Sequence, residues 1–182
     1  MPSPNDAIAR LFQRALALHR SGRLVQAEAG YRQVLALDPR HADSLNFLGV
    51  AAAQSGRNEA AVELIGQAIR QRGSVADYHD NLGLALLALG RLDEAGNCHR
   101  KALRLDPKHA SAHNHFANIL ARPLCAMAHE LTASLAPNGR AILAGLLNTQ
   151  VNWVVSAHRR AGLVLEHKIT DGAWSILTLR KL

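Results

Sequence analysis

A repeat of 34 residues is the feature that most constrains the fold of this chain. Three series of small or apolar residues recur at this step: Gly22, Gly56 and Gly90; Ala27, Ala61 and Ala95; and Leu48, Leu82 and Phe116. A period of this length accommodates a helical hairpin, whose apolar face is covered only by the next hairpin. The repeat therefore predicts a mainly α-helical chain that begins with a solenoid of stacked hairpins.

Glycine and alanine suit the close contacts of such hairpins. Gly22, Gly56 and Gly90 are expected just after first helices, where a left-handed backbone favours glycine. Gly49 and Gly83 are expected where two helices cross closely. The sequence holds three full units at about residues 8–41, 42–75 and 76–109, and a fourth first helix at about 110–121.

The repeat resembles the tetratricopeptide repeat. Successive units begin with LNFLGVAA, HDNLGLAL and HNHFANIL, and the first and third units end with VLALDPR and ALRLDPK. The resemblance implies that a partner binds along a concave groove lined by the first helices. The groove positions of the family correspond here to Phe12, Asp43, Asn46, Asp77, Asp80 and Asn114, with Asn81 beside them.

These groove residues are mostly polar or acidic. Amide side chains can pair with the backbone of an extended peptide, and carboxylates favour a basic segment. Lysine is absent from these positions, so the family's basic clamp for a peptide carboxyl terminus is not matched. The same residues are also compatible with helix faces that only contact solvent. The predicted partner is an extended polar or basic protein segment.

The register fails after Ala121, because the next glycine of the series would fall at Leu124. We therefore expect a repeat domain at residues 1–121 and a partial α/β segment at 122–182. The pattern predicts, in order, a helix from Pro123 to Ala136, a buried strand at 141–147, a helix from about Thr149 to Arg160, and a hairpin at Asp171-Gly172.

The segments FANILARPL, LAPNGRAILAGLL and AWSILTLRK follow one another in the order and spacing of an enzyme family. They resemble the carboxyl-terminal half of the bacterial S-adenosylmethionine-dependent lysine methyltransferase that modifies large-subunit ribosomal protein eleven. The resemblance covers about residues 116–182. It implies a remnant of a class I methyltransferase sheet, with Asn118 at a strand end beside the cofactor.

No GxGxG string precedes Asn118, because helical repeats occupy its place. A single asparagine cannot hold a charged sulfonium cofactor, which needs several convergent contacts. We expect an interaction scaffold with a truncated, inactive methyltransferase-like end and no cofactor. The alternative is a protein lysine methyltransferase that uses S-adenosylmethionine and recruits its substrate through the repeats.

The segment in which the two resemblances overlap, residues 113–120, permits two structures. HNHFANIL fits a fourth repeat helix, and it also fits the strand end of the enzyme. His113 and His115 suit a buried strand poorly, so we expect a helix on which Asn118 faces the groove. A fusion of the two families, natural or artefactual, would explain this overlap.

The strand at 141–147 is expected to keep one free edge, because only the two hairpin strands remain to pair with it. An apolar open edge invites pairing. We expect the repeat array, a second copy in a homodimer, or a partner chain supplying the missing half to cover this edge.

Composition excludes several other classes of function. The net charge is +7, but the basic residues are scattered, so nucleic-acid binding is not indicated. Cys98 and Cys125 lack metal-binding spacing and are expected to be free thiols. No metal site is predicted, since His109 and His113 lack a nearby carboxylate or cysteine, and the histidines of the repeats are expected at the surface. Without a signal or membrane segment, the protein is expected in the cytoplasm.

Overall fold

The computed structural model describes the backbone of residues 4–182 and the side chains of residues 5–119 and 121–182. Residues 1–3 of the predicted repeat domain therefore lie outside the described residues. The chain divides into two compact units, Met1–Ala112 and His113–Leu182. This division lies earlier in the chain than the domain boundary expected at residue 121, which stays a prediction.

The first unit contains three helical hairpins in the described residues. They are formed by α1 (Pro4–Arg20) with α2 (Leu24–Leu37), α3 (Ala42–Gln54) with α4 (Asn58–Gln71), and α5 (Ala76–Ala88) with α6 (Leu92–Leu105). The predicted repeat solenoid is thereby confirmed.

The turn inside each hairpin depends on glycine. Gly22, Gly56 and Gly90 have φ angles of 76°, 78° and 76°, a left-handed conformation that glycine adopts without a β-carbon penalty. In the first turn, the N–H of Arg23 bonds the carbonyl of Leu18 at 3.0 Å, which satisfies a carbonyl at the end of α1.

The turns after α2 and α6 use a shared Asp-Pro-X-His sequence. Asp38 accepts a hydrogen bond from the backbone N–H two residues later at 3.0 Å, and His41 accepts one from the N–H three residues later at 3.2 Å. Asp106 and His109 make the equivalent bonds at the same distances. The aspartate closes the turn, and the histidine caps the following helix.

The core of the first unit depends on close helix crossings. A β-carbon at Gly49 would lie 2.6 Å from Cγ1 of Ile65, and one at Gly83 would lie 2.5 Å from Cε1 of His99. The alanines of the second helices are fully buried at Ala27, Ala61 and Ala95. The close crossings predicted at both glycines are confirmed.

From Ala110 onward the elements are α7 (Ala110–Ala126), α8 (Ala128–Ser134), β1 (Arg140–Leu147), a 3₁₀ turn (Asn148–Gln150), α9 (Val151–Arg160), β2 (Leu163–Asp171) and β3 (Trp174–Lys181). The prediction that a helix starts at Pro123 was wrong, because this proline lies in the last turn of α7. Proline lacks the N–H that would extend the helical ladder, and α7 ends three residues later.

The three strands form an antiparallel sheet in the order β1-β3-β2. Asp171 pairs with Trp174, so Gly172 and Ala173 form the hairpin loop, one residue later than predicted. Strand β1 pairs with β3 on one side, and no other strand of the described chain pairs with its opposite edge. The register shifts between Leu143 and Leu146, around Gly145 with a φ of 77°.

Only one face of the sheet is buried. Leu146 and Leu177 pack with Val151 and Val154 of α9 in one apolar cluster. On the other face the exposed fractions are 70% for Ile142, 62% for Ile169 and 41% for Ile176. The expectation of a buried strand at 141–147 was therefore wrong for the outward-facing residues, since strand side chains alternate between the two faces.

No helix among residues 4–182 has the length and apolar character needed to cross a bilayer.

Candidate functional site

The groove residues predicted in the first unit lie on α1, α3 and α5, and we name the surface of these three helices the first-helix face. On it, the amide of Asn81 donates to the carbonyl oxygen of Asn46 at 3.1 Å, which links α5 to α3. Asn46 is only 2% exposed. Asn46 therefore orients Asn81, and the half-buried Asn81 is the member of the pair that solvent reaches.

Asp43 is held by two groups from the next repeat. Its Oδ2 accepts from Nη1 of Arg72 at 2.9 Å, and its Oδ1 accepts from the hydroxyl of Tyr78 at 2.5 Å. Burial of Tyr78, and next the hydrogen bond to Asp43, raise the pKa of the phenol. The phenol therefore remains a donor, and the charge of Asp43 is compensated inside the protein.

Asp77 presents the most accessible carboxylate of the predicted set. Its Oδ1 lies 2.7 Å from Nε2 of His109, and its side chain is 75% exposed. Because residues four apart share one face of a helix, Asp77 and Asn81 form a polar stripe along α5. Leu84, which is 38% exposed, adds an apolar contact at the end of this stripe.

Asp80 is buried rather than accessible. It is 4% exposed, and its Oδ1 lies 2.8 Å from Nδ1 of His99, which is 0% exposed. The expectation that the repeat histidines lie at the surface was wrong for His99. In the 34-residue register His99 is equivalent to Tyr31 and Ile65, both fully buried. That register is the signal that could have identified its position.

Phe12 belongs to an aromatic cluster between the first and second repeats. Its ring centroid lies 5.2 Å from that of His41, 6.0 Å from Phe47 and 6.1 Å from Tyr31. Phe12 is half-buried in this cluster. Burial raises the pKa of Tyr31 to about 12, against the opposing effect of Arg20.

Asn114 and Asn118 lie on α7 within the second unit, and both side chains are exposed. The structure confirms a helix, and not a strand end, at Asn118. The asparagine therefore differs in its local structure from the position that the enzyme resemblance implies.

The second unit has a charged cluster on the sheet. Arg140 donates to both oxygens of Glu166 at 2.6 and 2.8 Å, and Arg180 lies 3.8 Å from the same carboxylate. The hydrogen bonds from Arg140 lower the pKa of Glu166. This carboxylate therefore links β1 to β2 across the sheet through its hydrogen bonds with Arg140.

Comparison with protein-family models assigns both parts of the chain. Residues 12–77 and 76–109 match tetratricopeptide-repeat models. Residues 95–182 match the model of ribosomal protein L11 methyltransferase (PrmA). The match to the methyltransferase thus begins within α6, a helix of the third hairpin.

Curated relatives are ribosomal protein L11 methyltransferases of bacteria. The enzyme of Caulobacter sp. is 42% identical over 66 residues, which cover 36% of this chain and 23% of the relative. The enzyme of Bradyrhizobium diazoefficiens is 43% identical over 101 residues, which cover 51% of this chain and 34% of the relative. The enzyme of Chromohalobacter salexigens is 32% identical over 139 residues, which cover 72% of this chain and 40% of the relative. The chain therefore spans well under half the length of these relatives.

Solved structures agree with the helical fold. The second tetratricopeptide domain of human RPAP3, solved with an HSP70 peptide, has a TM-score of 0.61 at 24% identity, over 65% of this chain and 98% of that domain. A Thermobaculum terrenum O-GlcNAc transferase has a TM-score of 0.65 at 25% identity, over 75% of this chain and 28% of the transferase. The chain thus carries tetratricopeptide repeats, which indicate a protein-interaction scaffold, followed by a methyltransferase-like segment.

Proposed function

We propose that the repeats bind an extended polar or basic protein segment along the first-helix face. The stripe of Asp77, Asn81 and Leu84 on α5 carries this proposal, because it offers a carboxylate, an amide and an apolar contact on one helix. Amides pair with the backbone of an extended chain, and the carboxylate favours a cationic side chain.

The electrostatic part of this proposal rests mainly on Asp77. Asp43 is paired with Arg72, and Asp80 lies buried against His99, so neither carboxylate is open to a ligand as Asp77 is. The HSP70 peptide complex of human RPAP3 supports an extended peptide as the kind of ligand. Its sequence preference does not carry over, because lysine is absent from the groove positions of this chain.

A peptide-binding measurement tests the proposal. Fluorescein-labelled heptapeptides containing either three lysines or three glutamates are titrated into the full chain, and anisotropy is recorded. The lysine peptide should bind more tightly, and Asp77→Asn should weaken it about three- to tenfold. Glu59→Gln, an equal charge change at an exposed residue of α4, is the matched control. Equal binding of both peptides, or equal effects of both variants, would contradict the proposal.

A second candidate function is a protein lysine methyltransferase whose repeats recruit the substrate, as the match over residues 95–182 suggests. We propose instead that the second unit does not bind S-adenosylmethionine by itself. Asn118 is exposed on a helix, and the described residues before it form helices and their connections. Several convergent groups are needed to hold such a cofactor.

We also propose that the free edge of β1 pairs with a second copy of this chain or with a partner chain. Residues 141–147 contain no charged side chain, and charged residues are a common protection of edge strands. The exposed Ile142 would extend the apolar contact beyond the backbone hydrogen bonds.

A further inference from the structure

The interface between the first two repeats carries an ion-pair network on its second-helix side. Glu28 of α2 accepts from Arg32 at 3.0 Å and also from Arg57, at the start of α4. The side chain of Glu28 is only 9% exposed. The two guanidinium groups thus converge on one nearly buried carboxylate and occupy the surface between α2 and α4.

The interface between the second and third repeats lacks this network. In the 34-residue register the same three positions hold Val62, Gly66 and Arg91. Arg91 turns to Glu94 of its own helix, with both hydrogen bonds at 2.7 Å. A valine replaces the central carboxylate, and a glycine replaces one of the arginines.

A cleft of about 510 Å³ lies at this second interface, between α4, α5 and α6. We name it the α4–α6 cleft, and its lining includes Val62, Gly66, Leu82, Leu86, Asn97 and Cys98. No atom of a neighbouring helix fills the space above Gly66, because a β-carbon placed there would meet only Nη1 of the exposed Arg70, at 3.7 Å. The cleft can therefore receive an aliphatic side chain when the Arg70 side chain moves aside, without moving a helix.

Opposite charges flank this opening along α4. Glu63 lies one turn before Gly66 and Arg70 one turn after it, and both line the cleft. Arg70 is exposed and makes no hydrogen bond or ion pair with other described residues. The charged pair across the cleft, Arg91 with Glu94, already neutralises itself. A complementary ligand thus needs a carboxylate at Arg70 and a cation at Glu63.

We propose that the α4–α6 cleft is a second docking site, which binds a partner protein segment by inserting one aliphatic side chain above Gly66 between an acidic and a basic residue of that segment. This site lies on the second-helix side of the solenoid. It is independent of the peptide site proposed on the first-helix face.

Labelled nonapeptides with a central leucine test the site in the full chain. The first peptide carries one glutamate and one lysine beside the leucine, and the others carry two lysines or two glutamates. The mixed peptide should bind saturably and most tightly. It should also slow alkylation of Cys98 by iodoacetamide, measured by mass spectrometry, while the rate at Cys125 stays unchanged.

Three variants make the test specific. Gly66→Leu fills the opening and should weaken the mixed peptide about tenfold or more, whereas Ala36→Leu, at the exposed position of the first interface equivalent to Arg70, should leave it unchanged. The double variant Val62→Glu with Gly66→Arg rebuilds the network of the first interface and should also close the cleft. Arg70→Glu should shift the preference to the two-lysine peptide.

Circular dichroism and melting curves establish that each variant is folded. Arg70→Glu alters an exposed side chain, so it remains informative if Gly66→Leu fails to fold. Absence of saturable binding of the mixed peptide, unchanged binding to folded Gly66→Leu, or an unchanged charge preference in Arg70→Glu would each overturn the proposal. Unchanged binding of the lysine heptapeptide to Gly66→Leu separates this site from the first-helix face.

Discussion

The imidazole of His99 lies directly over the backbone of Gly83, where a β-carbon would come within 2.5 Å of Cε1 and 2.7 Å of Nε2. Asp80 holds the other side of the ring through its 2.8 Å contact with Nδ1. The ring is fully buried, so it has little room to move away. This packing limits residue 83 to glycine.

Gly83→Ala is therefore expected to destabilise the first unit by about 1–3 kcal/mol, the usual cost of overpacking a core. Gly66→Ala is the matched control, because a β-carbon there meets nothing closer than 3.7 Å. It should stabilise its helix by roughly 0.5–1 kcal/mol. Urea unfolding followed by circular dichroism measures both changes. Equal stability of the two variants would contradict the packing argument.

Alkaline pH is expected to destabilise the protein through its two tyrosines. Burial raises the pKa of Tyr31 to about 12 and raises that of Tyr78 as well, above the ordinary value of 10. Between pH 10 and the raised pKa values the unfolded chain releases phenolic protons that the folded chain retains. The contribution of the two tyrosines to the free energy of unfolding is thus fully present below pH 10. It falls as the pH rises, by about 1–2 kcal/mol per tyrosine near pH 11.5.

Urea unfolding at pH 9 and pH 11.5 measures this loss. Tyr31→Phe and Tyr78→Phe should each lower stability at pH 9, because each removes a hydrogen bond, but each should reduce the further loss at pH 11.5. An identical alkaline loss in the double phenylalanine variant would show that other groups cause it.

Self-association or partner binding through β1 should depend on its uncharged residues 141–147. Ile142→Lys places a charge on the edge strand, which opposes edge-to-edge pairing. It should convert oligomers to monomers or weaken capture of a partner about tenfold or more. Size-exclusion chromatography with light scattering measures the molar mass of the monomer, oligomer or complex in each case.

Ile169→Lys is the matched control for this prediction. Ile169 is similarly exposed and lies on β2, the strand at the opposite edge of the sheet. Its neighbours in the sequence already carry charge. A monomeric wild-type chain in which even the β1 amides that point away from β3 are protected from exchange would argue against pairing at this edge.

Calorimetric titration with S-adenosylmethionine should give no saturable heat with the full chain, since Asn118 is exposed on a helix and not at a strand end beside a cofactor. A protein with a complete cofactor pocket, such as an intact ribosomal protein L11 methyltransferase, serves as the positive control. Saturable binding in the micromolar range would favour the methyltransferase function over the scaffold alone.

Periodic features of the chain were predictable from the sequence. The step of 34 residues placed the hairpin turns at Gly22, Gly56 and Gly90 and the close crossings at Gly49 and Gly83, because turn conformation and helix contact depend on residue size at fixed intervals. The apolar run at 141–147 and the Asp171-Gly172 pair located two elements of the sheet, although the hairpin loop falls one residue later.

The sequence by itself thus determined the three helical hairpins and where they turn, and it predicted that a different architecture follows Ala121. Only the tertiary structure decided which polar residues are accessible: it buried Asp80 against His99, tied Asp43 to Tyr78, and left Asp77 open to solvent. The same structure opened a cleft at Gly66. Helix periodicity is local, whereas burial and charge pairing depend on side chains from neighbouring helices, whose meeting no pattern within a single repeat encodes.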